Sequence, residues 1–109
     1  MLTIAIENEW IETAQLFGQV ENVIKQALRA YAVGQCQQRI DKAIAQNDIY
    51  QQKYHLDYAT FKYTVQTNEQ FLNKLESQSP LWEEDAIEWA FWQEEEQAWR
   101  NRLKTLCQI

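Results

Sequence analysis

The residues able to do chemistry are few and poorly matched for catalysis. His55 is the only histidine, and it falls between Tyr54 and Leu56 in a stretch that reads as a loop. A general base needs a positioned partner, and no sequence neighbour supplies one. Glu84 and Glu88 are four residues apart, so on a helix both carboxylates share a face. Di-metal carboxylate sites use such pairs together with an E-x-x-H motif, which is absent, and a solvated anionic face is the better reading. Cys36 and Cys107 have no metal-ligand spacing and read as free thiols. No Gly-rich phosphate loop or nucleophile elbow is present. The chain is therefore expected to be no enzyme and to carry no metal or cofactor.

What remains is a surface chemistry, concentrated in Leu81–Trp99, LWEEDAIEWAFWQEEEQAW. Trp82, Trp89, Trp92 and Trp99 are interleaved with Glu83, Glu84, Asp85, Glu88, Glu94, Glu95 and Glu96, without a Lys or Arg. Tryptophan is the strongest interface anchor, and clustered carboxylates attract a basic partner. The expected partner-binding residues are Trp82, Glu84, Trp89, Trp92, Glu95 and Trp99. The same indole stripe could equally be internal core. Ile87 and Phe91 lie beside it and are expected to widen it. Glu96 lines up with Trp92 and Trp99, and Arg100 one turn on could pair with it.

The elements that must position these residues are helices. Two glycines and one proline in 109 residues argue for long uninterrupted helices. The net charge of −6 is uneven: residues 1–53 carry −1, and residues 54–109, with ten acids and five bases, carry −5. Such a chain is a poor general binder of nucleic acid or anionic membrane. Without a leader or long apolar run, a reducing cytoplasm and no membrane association are expected.

Leu2, Ile4 and Ile6 alternate with Thr3 and Ala5, which predicts a short strand. Five residues cannot form a sheet alone, so the strand would pair with that of a second copy. Asn8 is expected to cap a helix to Phe17, stopped by Gly18. A second helix is predicted from Gln19 to about Asn47, with Asn47-Asp48 and His55 as breaks. Asp57 would cap a short helix, and Thr67 with Gln70 would form a capping box for another. Ser79 as cap with Pro80 at the first position would open a final helix to about Leu106, roughly 39 Å long at about 1.5 Å per residue.

Strand, short helix, Gly turn and long helix is the order of the ribbon-helix-helix fold. The run TIAIENEWIETAQLFGQVENVIKQALRAYA resembles that family, and Val23–Tyr31 looks like the second helix of many small antitoxins of prokaryotic type II toxin–antitoxin pairs. The resemblance covers roughly the first 45 residues. It implies a mainly α protein with a short N-terminal strand: a dimer module over residues 1–47 and a long helical, acidic, Trp-rich partner-binding region over residues 48–109. It implies a homodimer through Leu2, Ile4, Ile6, Val23, Ala27 and Tyr31. The C-terminal region would neutralise a basic cognate toxin, such as a ribonuclease. A ribbon would present Thr3 to a DNA groove, with Lys25 and Arg29 on phosphates. Glu7, which follows in the same register, would repel phosphate. The alternative is a self-contained helical assembly or scaffold protein with no toxin, its indole stripe internal.

Overall fold

The computed structural model describes residues 3–109. Its elements among those residues are five helices: α1 (Asn8–Gln15), α2 (Val20–Tyr54), α3 (Tyr58–Thr67), α4 (Glu69–Gln78) and α5 (Trp82–Cys107). The helical class follows the sequence; the N-terminal strand does not. Leu2 lies outside the described residues, and Thr3, Ile4, Ala5 and Ile6 are exposed and belong to no ladder. Alternation selects a strand only where an edge exists to satisfy its backbone, and no other segment among the described residues is extended in a strand. The ribbon-helix-helix module is thereby overturned, and with it the pairing of copies through a ribbon of Ile4 and Ile6 and the placing of Thr3 in a DNA groove. No helix among the described residues is long and apolar enough to cross a membrane.

The chain divides into two compact units, Met1–Gln35 and Cys36–Ile109, with the division inside α2. In the first, α1 begins one residue earlier than the Asn8 cap would have it. Glu7 occupies the cap position, and its carbonyl accepts from the backbone of Trp10 and Ile11. α1 ends at Gln15, with Leu16 rather than Gly18 at its C-terminal cap, and Gly18 closes the turn that follows with φ +141°, a conformation that side chains rarely adopt. A Cβ there would lie an ordinary 3.7 Å from Val23, so dihedral freedom, not space, is what demands glycine. Ala14 is the buried residue of α1, while Ile11, Val20 and Val23 are half-buried. Trp10, Leu16, Phe17, Ile24, Leu28 and Tyr31 are exposed.

In the second unit the buried residues of α2 are Cys36, Ile40, Ala43, Asn47 and Tyr50, a repeat of four and three that gives one narrow seam. α5 runs antiparallel along it. Lys53 and Tyr54 meet Asp85, Asn47 meets Trp92 and Glu96, and Arg39 lies over Trp99. The break expected at Asn47-Asp48 does not occur. The Asn47 amide donates to the Trp92 carbonyl (3.3 Å) and to Glu96 Oε1 (3.1 Å), so tertiary partners outweigh its weak helix propensity. α2 stops instead at His55, whose φ of +58° is the left-handed conformation that closes helices.

Asp57 caps α3, its Oδ1 accepting from the Thr60 amide at 2.7 Å. The next cap is shifted by one residue: Asn68, not Thr67, accepts from the Phe71 amide at 3.0 Å. Thr67 is the last residue of α3, and its hydroxyl donates to the Tyr63 carbonyl. α5 starts at Trp82 rather than at Pro80, with the Trp82 amide donating to the Ser79 carbonyl.

The core is aromatic. Trp89 is 1% exposed, and its ring lies 5.2–6.0 Å from those of Tyr50, Tyr54, Tyr58 and Phe61. Leu75 closes the cluster from α4. Trp89→Ala is expected to cost about 3–5 kcal/mol of stability, the range for a large buried aromatic. Ile87→Ala, two residues away and exposed, should change it by less than about 0.5 kcal/mol. Urea unfolding of both variants checks this; similar midpoints would contradict the packing described.

Candidate functional site

α5 separates its side chains sharply because positions two apart differ by about 200° around a helix. Trp89 points into the aromatic cluster, and Trp82 and Trp92 pack against it half-buried. Trp99 is also half-buried, with the guanidinium groups of Arg39 and Arg102 at 4.7 and 4.2 Å from its ring centre. Its Nε1 donates to Glu95 at 3.0 Å. The indoles singled out by the sequence thus lie on the inner side of the helix. Ile87 and Phe91, expected to widen their stripe, stand on the opposite side instead, 74% and 50% exposed. The physical reason is angular: each is two positions from Trp89. That signal was present in the sequence.

The acids also separate into two sets. Asp85 accepts from Lys53 Nζ (2.6 Å) and from the Tyr54 hydroxyl (2.5 Å). Glu96 pairs with Arg100 at 2.9 Å and holds Asn47, while Glu95 holds Trp99. These three carboxylates are engaged within the fold. Glu83, Glu84 and Glu94 are exposed and make no ion pair among the described residues. The spacing Glu84, Ile87, Phe91, Glu94 follows three-, four- and three-residue steps, so these side chains share one outer face. It is an apolar pair bordered by unpaired carboxylates.

His55 lines a crevice of about 220 Å³ with Lys53, Lys74, Phe71 and Ser79. No carboxylate lines it, so His55 has no acid–base partner there. No group of three potential metal ligands is assembled among the described residues. Cys36 is buried and Cys107 exposed, and both are free thiols. Of the residues expected to join copies, Ile4, Ile6, Ala27 and Tyr31 are exposed and Val23 is half-buried. Lys25 lies 3.8 Å from Glu21 on the exposed start of α2, in a pair too solvated to matter energetically.

Comparison of this chain with protein-family models, curated proteins and solved structures finds no match.

The latch between α2 and α5 carries a pH signature. Burial opposes ionisation of Asp85, but the bonds from Lys53 and Tyr54 outweigh it and hold the carboxyl below its ordinary value. Burial, then the bond to Asp85, raises the Tyr54 hydroxyl. Burial, then the Glu88 carboxylate, pushes Tyr50 up to about 12. The depressed Asp85 contributes stability above the unfolded carboxyl value of about 4 and loses it as pH falls. The raised tyrosines contribute fully below about pH 10, and that contribution is lost as pH rises through the folded values. The melting temperature should therefore fall on both sides of a plateau. Lys53→Met should flatten the acid limb, because the folded and unfolded values of Asp85 then converge, and Tyr54→Phe should flatten the alkaline limb. A Tm series from about pH 3 to pH 11 reads both; limbs unmoved by these variants would remove the latch from the account.

Proposed function

We propose that this chain is a non-enzymatic protein-binding module. Its C-terminal unit holds a basic protein on the outer face of α5, and its N-terminal unit pairs with a second copy. The specific form we favour is antitoxin-like: neutralisation of a basic toxin, such as a ribonuclease, by a homodimer. The observation that carries it is the set of exposed, unpaired carboxylates Glu83, Glu84 and Glu94 on a helix with no Lys or Arg from Leu81 to Trp99. A one-signed face of this kind steers an oppositely charged partner and rejects like-charged ones. Neutralisation through Trp89 itself would require the core to open, so a partner meets α5 from the other side.

Pairing of copies is supported by the apolar side chains left outside the first unit. Ile24, Leu28 and Tyr31 stand four and three residues apart on α2, and Leu28 and Tyr31 are each 66% exposed. The same exposed residues favour a second reading, a homo-oligomeric assembly protein with no toxin.

The separating experiment is affinity capture with the full chain as bait, followed by purification of any stoichiometric basic protein and assay of its activity with and without this chain. The expected result is suppressed activity and binding that weakens steeply between 50 and about 500 mM salt. A chain recovered only with itself would leave the assembly reading. Independently, Leu28→Glu with Tyr31→Glu should shift the native mass from dimer to monomer. A wild-type monomer at micromolar concentration would remove the pairing.

A further inference from the structure

We infer that Ile87 and Phe91, and not the tryptophans, anchor the partner, and that the surface they fit is an apolar helix face bordered by Lys or Arg on a basic protein. This rests on the reading above that α5 receives such a protein. An interface draws most of its energy from a few well-placed apolar side chains ringed by polar groups that exclude water. α5 offers that arrangement only on its outer side, where Ile87 and Phe91 are one turn apart and Glu83, Glu84 and Glu94 border them. Two anchors one turn apart form a ridge of the kind that packs against the apolar face of another helix.

Phe91 is also held before binding. Its ring stands edge-on to Trp92, with centroids 5.0 Å apart and planes at 75°. Trp92 in turn packs on the buried cluster. A preset ring loses less conformational freedom on docking. The rigid side of α5 thus supports the exposed side. Charge selects the occupant. A second copy docking by this face would set Glu83, Glu84 and Glu94 against the same carboxylates, and an anionic membrane would be repelled likewise. Asp85, Glu95 and Glu96 are engaged inside the fold, so the rim consists of the unpaired acids.

The test uses the full chain and a defined probe, a helical peptide of about 18 residues with leucine on one face and lysine on the other. Binding is followed by fluorescence anisotropy of labelled peptide and by backbone amide shifts of the chain. Ile87→Ser and Phe91→Ser replace exposed side chains, and unchanged circular dichroism and Tm certify their folding. Each should weaken peptide binding by about tenfold or more, with shifts in the wild type centred on residues 84–94. The triple change of Glu83, Glu84 and Glu94 to Gln should slow association and reduce the salt dependence. Binding that survives both serine variants but is lost in the triple glutamine variant would overturn the anchors and keep the basic-partner reading. No binding to the wild type, or binding indifferent to salt and to the glutamine changes, would overturn both. Loss of self-association in the serine variants would make a second copy the occupant and overturn the inference.

Discussion

The indole of Trp89 is the contact on which the second unit depends. Tyr50 and Tyr54 reach it from α2, and Tyr58 and Phe61 from α3, while Phe61 extends the cluster to Phe71 of α4 and Trp82 of α5. α3 and α4 are ten residues each, shorter than helices that persist alone in water. They are helical because their apolar sides close over this cluster and because Asp57 and Asn68 cap their first turns. Among the described residues, the buried indole nitrogens of Trp89 and Trp92 meet no protein acceptor.

Committing one side of α5 to that cluster defines the other. The register of α5 on α2 is marked by polar contacts: Lys53 and Tyr54 on Asp85 at one end, Asn47 on Trp92 and Glu96 in the middle, and Arg39 over Trp99 beyond. A buried asparagine in a two-helix seam favours one alignment, because any other leaves its amide unpaired. With register set, the acids divide into those that serve the fold and those that face outward. The binding surface is thus a consequence of core packing: the carboxylates not needed inside border the apolar pair that the core could not reach.

Several features were legible from local residues. Asp57 before an apolar run, Gly18 after one, and the acid-rich start of α5 each report on their own turn of chain. Where a reading needed a distant partner it failed. Thr3–Ile6 alternates as a strand does, yet among the described residues no extended segment pairs with it. Asn47-Asp48 looks like a stop until Trp92 and Glu96, more than forty residues on, supply its amide with acceptors. The tryptophans drew attention as interface anchors because of their type, and type alone does not say which side of a helix is covered.

What the sequence by itself determined was the helical class, the cap at Asp57, the glycine turn after α1, the near-full extent of the last helix and the one-signed charge of its tryptophan-bearing stretch. Those properties come from propensity, capping and formal charge, which act within a few residues. Only the tertiary structure decided that α2 continues through Asn47, that the N-terminal residues form no ribbon, and that Trp89 faces inward while Ile87 and Phe91 face out. Those outcomes depend on which surfaces meet across long chain separations, and side-chain burial is a property of the assembled helices rather than of any one of them.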